Sequence, residues 1–256
     1  MTTPAASISH AIRTAHEAGR TALVAFVTAG FPDKHRFAET LLTVAAQADV
    51  VEIGVPFTDP MADGMTIQRA SRAALAQGVS MAWILEMVGG LRERPKAPLL
   101  LMSYLNPLLS YGLDKLPAAA RAAGISGCIV PDLPHEEAGE LEAALASEGL
   151  ALIQMVTPVT PQARLERLCG AAQGFVYAVT MTGTTGKSVA VPLDVMDYLD
   201  RVRAASKVPV CAGFGIRAKD QIDLLAGHVD GVVVGSALVE VLERGEDPAA
   251  FLASLR

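Results

Sequence analysis

Eight short apolar runs alternate with stretches of helical period across 256 residues, with no linker between them, and predict one (β/α)8 barrel (a TIM barrel) over residues 1–256. The runs fall at residues 22–29, 50–55, 98–103, 127–130, 150–156, 175–180, 208–214 and 231–234. They are nearly continuous in apolar character, as parallel strands covered on both faces should be. A doubly wound open sheet is the runner-up, but it usually needs fewer strands. The length also suits the barrel and buries most of the surface that the unfolded chain would expose.

The helices between the runs carry local signals. Residues 33–48 open on Asp33 and place Phe37, Leu41, Leu42, Val44 and Ala45 on one stripe. Residues 80–94 begin with Ser80, a capping residue type, without the glutamate of a capping box. Residues 113–123 end at Gly124, suited to a left-handed stop. Residues 135–148, 161–170, 194–205, 218–226 and 248–255 complete the series.

Composition removes several function classes. Hydrophobic residues make up 51% and charged residues 19%, too apolar for disorder. A net charge of −6 and an isoelectric point near 5.4 speak against a nucleic-acid surface, which needs a basic stripe. No run of about 18 apolar residues suggests a membrane span, and residues 1–20 lack an apolar signal core, so a cytoplasmic location is expected. Cys128, Cys169 and Cys211 are widely spaced, show no metal-ligand pattern and read as buried reduced thiols. No metal or cofactor is expected.

In a barrel the chemistry sits at the carboxyl ends of the strands. After the second run the chain reads VEIGVPFTDPMADGMTIQ over residues 51–68. Val51 and Ile53 face one side of the strand, so Glu52 points into the barrel mouth or its core. An unpaired carboxylate is costly there, and burial would raise its pKa towards neutrality, where it can donate and accept a proton. Asp63 lies eleven residues on in a turn-rich stretch. Asp59 shares that loop and is as readily a turn former as a functional group.

The seventh run ends VCAGFGI, with Gly213 and Gly215, and the eighth ends VVVGSAL, with Gly235 and Ser236 opening a short helix. Glycines admit an anion close to the backbone, and a helix start supplies free N–H groups. The two pairs at these strand ends predict a phosphate cradle. After the sixth run FVYAVTMTGTTGKS suggests a polar lid loop. Its TGTTGKS is not a P-loop, because the position that needs glycine is Met181.

The segment from Glu52 to Gly64, EIGVPFTDPMADG, resembles the signature of tryptophan synthase alpha chains, and Ile67-Gln68 continues it. The similarity runs on through AFVTAG at residues 25–30, YLNP at 104–107, Tyr111-Gly112, VPDLP at 130–134, GFGI at 213–216 and GSA at 235–237. The resemblance implies a lyase that splits indole-3-glycerol phosphate into indole and glyceraldehyde 3-phosphate and passes indole to a beta subunit in an αββα heterotetramer. It implies Glu52 and Asp63 as the two catalytic carboxylates. Substrate contacts are expected from Phe26, Tyr177, Thr185, Gly186, Gly213, Gly215, Gly235 and Ser236, with Thr185 positioning the aspartate. Residues 104–112 would help form the beta contact.

Met65, Met181 and Thr184 depart from the family pattern and bear on loop stiffness and closure. Asp132 is either a site-edge or a structural residue, and Leu100 and Ile153 are either ring contacts or core. The five histidines fall outside the strand runs and are expected at the surface. Three alternatives stay open: a phosphoribosyl isomerase sharing the glycine turns, a lyase working without a partner, and a non-catalytic barrel that binds a phosphorylated metabolite and regulates another protein.

Overall fold

The computed structural model describes residues 3–180, 193–213 and 215–256. The chain opens with α1 (Pro4–Glu17), β1 (Ala22–Thr28), α2 (Phe37–Gln47), β2 (Val50–Gly54), α3 (Met65–Ala76), α4 (Met81–Gly89) and β3 (Leu99–Met102). It continues through α5 (Leu105–Tyr111), α6 (Leu116–Ala123), β4 (Ile125–Ile129), a 3-10 turn (His135–Glu137), α7 (Gly139–Ser147), β5 (Ala151–Leu152) and β6 (Gln154–Val156). The last third holds α8 (Gln162–Ala171), β7 (Val176–Val179), α9 (Leu193–Ala205), β8 (Val210–Gly213), α10 (Lys219–Leu225), β9 (Gly231–Val234), α11 (Ser236–Glu243) and α12 (Pro248–Ser254).

All observed strand pairings are parallel, in the order β5-β4-β3-β2-β1-β9-β8-β7-β6. The run expected at 150–156 is split in two. Its first half pairs with β4 and its second with β7, so this one strand position closes the ring. At the join, Ile153 still donates its N–H to the Cys128 carbonyl at 2.9 Å. The expected eight-stranded barrel is therefore present, with one position shared between two short segments.

Register builds the interior in layers. Val24 pairs with Val50, while Phe26 pairs with Glu52 and Glu52 with Leu100. Val24, Val50, Leu100, Ile129, Phe175, Cys211 and Val233 form an inner apolar cluster that also takes in Ile8, Ile12 and Ala15 of α1. α1 thus plugs the amino-terminal end of the barrel. Its Thr3 hydroxyl caps the first turn, Pro4 sits where no N–H is needed, and the three buried side chains recur at helical spacing. Burying each isoleucine contributes roughly 2 kcal/mol. The larger cluster packs Val51, Ile53, Leu101 and Ala212 outward against the helices.

Several local expectations shift. The second helix begins at Phe37, not Asp33, whose carboxylate instead accepts from the His35 N–H at 2.8 Å. Ser80 does cap α4, accepting from the Trp83 N–H at 3.2 Å, but that helix stops at Gly89. Gly124 ends α6 in the left-handed conformation, at φ 89°. The segment after β3 forms α5. Leu100 and Ile153 belong to the barrel core. All three cysteines are buried and unpaired.

Candidate active site

The carboxyl ends of the strands surround a cavity of about 420 Å³. Glu52, Asp63, Phe26, Tyr177, Gly213, Gly215, Gly235 and Ser236 all line it, drawn from segments up to 210 residues apart in the chain. Ile67, Met102, Pro131, Met155, Val179 and Val233 complete an apolar wall. Thr185, Gly186, Met181 and Thr184 lie outside the described residues.

β2 carries Glu52 inward, flanked by the outward Val51 and Ile53. The side chain is buried, and its Oε1 has no hydrogen-bond partner among the described residues. Burial raises its pKa from the ordinary 4.5 to about 8. Such a group is a neutral acid at pH 7 and can still lose its proton there. Asp63, in the turn before α3, is raised from 3.8 to about 6 by burial, while the nearby Tyr104 phenol pulls the other way. The two carboxyl groups thus have separated pKa values, as an acid and an anion with different tasks require.

Asp63 sits in a fastened turn. Its N–H donates to the Pro60 carbonyl at 3.1 Å, and its own carbonyl accepts from the Gln68 side chain at 2.9 Å. The Tyr104 hydroxyl accepts from the Ala62 N–H at 2.9 Å, which ties the turn to the end of β3. Tyr104 was expected only as part of a partner surface. Its signal was available, since a polar aromatic at the carboxyl end of a barrel strand lies where the chemistry gathers. Asp59 accepts from the Thr58 hydroxyl, is exposed and does not line the cavity, so the turn-forming reading holds for it. Asp132 accepts from the Leu105 N–H at 2.9 Å and anchors the start of α5.

Two glycines make room for rings. A Cβ on Gly213 would lie 2.6 Å from the Tyr177 ring, and one on Gly54 would lie 2.4 Å from Phe26. Gly213 therefore serves the placement of Tyr177, a role not foreseen beside that of anion binding. Tyr177 is pushed well above the usual tyrosine pKa, first by burial and then by Glu52, so it stays a neutral phenol. Gly215 takes φ +63°, a backbone shape that favours glycine, and Gly235 caps α11, whose first residue is the buried Ser236. First-turn amides of a helix have no intrahelical acceptor and favour an anion. Met65 is exposed at the start of α3 and is not part of the cavity wall.

A family model described as "Tryptophan synthase alpha chain" matches residues 12–255. The tryptophan synthase alpha chain of Nitratidesulfovibrio vulgaris (strain DP4) is 43% identical over 249 residues, covering 97% of each chain. That of Geobacter sulfurreducens is 45% identical over 245 residues, covering 93% of this chain and 92% of the relative. Among solved structures, tryptophan synthase subunit alpha from Legionella pneumophila superposes with a TM-score of 0.87 at 33% identity, covering 97% and 96% of the two chains. A chain of Mycobacterium tuberculosis tryptophan synthase gives a TM-score of 0.89 at 34% identity with the same coverage. Full-length similarity in sequence and fold, together with the inward carboxylates of the strand-two segment, shows that the chain belongs to the tryptophan synthase alpha chain family.

Proposed function

We propose that Glu52 and Asp63 share the proton chemistry of this family's reaction, the cleavage of indole-3-glycerol phosphate to indole and glyceraldehyde 3-phosphate, within one barrel domain. The bond to be broken joins indole C3 to the glycerol phosphate chain. Indole leaves poorly until C3 is protonated, which makes the ring an electron sink. Glu52, neutral at pH 7, delivers that proton and then takes one from the glycerol hydroxyl as the carbon–carbon bond breaks. Asp63, ionised above pH 6, accepts the indole N–H hydrogen bond and stabilises the positive charge that grows on that nitrogen. The apolar wall of Phe26, Ile67, Met102 and Val233 suits the bicyclic ring. Gly213, Gly215, Gly235 and Ser236 suit the phosphate. No lysine lines the cavity among the described residues, in keeping with acid–base cleavage without a Schiff base.

The observation that carries this reading is the meeting of both carboxyl groups and both glycine turns in one cavity. The test is indole release by the purified chain supplied with indole-3-glycerol phosphate, with and without a beta chain. Turnover by wild type supports the reading, and phosphate-ester binding without turnover in both conditions overturns it.

A beta subunit in an αββα assembly is the proposed partner, in the cytoplasm. Two large apolar side chains are exposed, Met61 of the cavity wall at 82% and Leu109 on α5 at 52%, as a docking face would leave them. Co-elution with a beta chain in size-exclusion chromatography, with mutual activation, is the expected result.

A further inference from the structure

Three segments converge on the cavity from distant parts of the chain. One is the turn that carries Asp63 into α3, the second is the turn of Gly213 and Gly215 after β8, and the third is the start of α11. Glu240 stands on α11 four residues after Ser236 and does not line the cavity. Its Oε1 accepts from the Thr66 hydroxyl at 3.2 Å and from Arg217 Nη2 at 2.9 Å, and its Oε2 accepts from Arg217 Nη1 at 2.7 Å. Thr66 comes three residues after Asp63, and Arg217 two residues after Gly215.

We propose that Glu240 is a positioning residue that holds the Asp63 turn and the Gly215 turn in register on α11, and so fixes the spacing between the proton-transfer end and the phosphate end of the cavity. The proposal rests on the reading of the site given above. The chemistry selects a glutamate. A carboxylate can take a bidentate guanidinium and still accept a third hydrogen bond, whereas an amide loses one acceptor and turns donors towards the arginine. The side chains are partly shielded, at 35% exposure for Arg217 and 23% for Glu240.

The same two helices supply a control. Arg69 of α3 pairs with Glu243 of α11 at 2.9 Å, with exposures of 49% and 39%. That clip joins α3 to α11 one turn further along and, among the described residues, has no hydrogen bond to the glycine turn. A merely structural role predicts that Glu240 and Glu243 behave alike.

The experiment measures kcat, KM for indole-3-glycerol phosphate, inhibition by glycerol 3-phosphate and the thermal midpoint, on the full chain with a beta chain present. Thr66→Val is expected to lower kcat roughly fivefold, about one net hydrogen bond, with KM and the inhibition constant within about twofold. Arg217→Gln is expected to raise KM and the inhibition constant roughly fivefold while kcat stays within about twofold. Glu240→Gln should show both changes, and adding Thr66→Val to it should do little more. Glu243→Gln should leave the kinetics alone whatever it does to the midpoint. Glu240→Gln kinetics equal to wild type, or a Glu243→Gln variant that reproduces the Glu240→Gln pattern, overturns the proposal. A wild-type chain that releases no indole sinks the functional reading and this inference with it. An active wild type without the kcat–KM split sinks this inference alone.

Discussion

Asp49, immediately before β2, and Glu52, in the middle of it, stand three residues apart and are treated in opposite ways. Asp49, at the amino-terminal end, accepts two hydrogen bonds from Arg20 at 2.8 Å, one from the Leu23 N–H at 2.9 Å and one from Arg256 at 3.3 Å. Glu52, facing the other end, has an Oε1 with no hydrogen-bond partner among the described residues. The barrel interior repeats the contrast. Its lower end is filled by Ile8, Ile12 and Ala15, and its upper end is open as a cavity. One end spends its polar groups on holding segments together. The other keeps a carboxyl group at high free energy, where it can react.

The sharpest way to break this comparison is Glu52→Gln. Removing a general acid–base group costs about 10²–10⁴-fold in rate, and the upper part of that range is expected because both proton transfers are assigned to one residue. The same variant should be more stable than wild type at high pH. Glu52 has a folded pKa of about 8, above its ordinary 4.5, so the folded state binds the extra proton between these values. Its contribution to stability is complete below about pH 4.5 and is lost as the pH climbs towards 8. The margin of Glu52→Gln over wild type should widen through that window, as followed by urea unfolding at a series of pH values. A variant less stable than wild type at pH 8 would show that Glu52 has a hidden partner.

Asp63→Asn comes next, with a loss of about 10²-fold in kcat/KM. Asp63 must be ionised, with a pKa of about 6, and Glu52 protonated, with a pKa of about 8. The kcat/KM profile of wild type should therefore be a bell with limbs near these values. Asp63→Asn should flatten the acid limb and keep the basic one. Loss of the basic limb instead would reverse the two assignments.

How much of this was legible without coordinates differs between the two ends. The upper end is written in residue types that stand out in or just after an apolar strand, such as Glu52, Gly213, Gly215 and Gly235, and all of them line one cavity. The helices α1 and α3 escaped for different reasons. α3 buries only Ala70, Ser71 and Ala74, small side chains that leave almost no apolar period to detect. α1 had a readable pattern in Thr3, Pro4, Ile8 and Ile12, but it precedes the first strand and so stands outside the strand–helix alternation. Glu240 was missed because its value comes from partners far away in sequence, Thr66 and Arg217, whereas for Tyr104 only the tie to Ala62 was hidden, its strand-end position being legible. Spacing along the chain carries no trace of such pairs.

At the lower end, Ile12→Ala should leave a cavity under the barrel and lower stability by about 2–5 kcal/mol, while kcat per folded molecule stays near wild type. Thermal unfolding and active-site titration together separate the two quantities. A fall in kcat would mean that the plug sets the geometry of the layer above it, through Val50 to Glu52.

Asp49→Ala is the smallest of the expected effects and the most direct test of independence. Its carboxylate joins the loop before β1, the start of β2 and the chain's last residue, and its side chain is only 10% exposed. Arg20 and Arg256 are more open, at 39% and 29%, so water takes over part of what they lose. The Leu23 N–H is different, because it loses this acceptor in a partly buried setting. A loss of about 1–3 kcal/mol follows, mainly from that amide, with no change in the pH limbs of kcat/KM. If the limbs moved, charge just before β2 would be felt at its middle, and the division into a structural and a reactive carboxylate would fail.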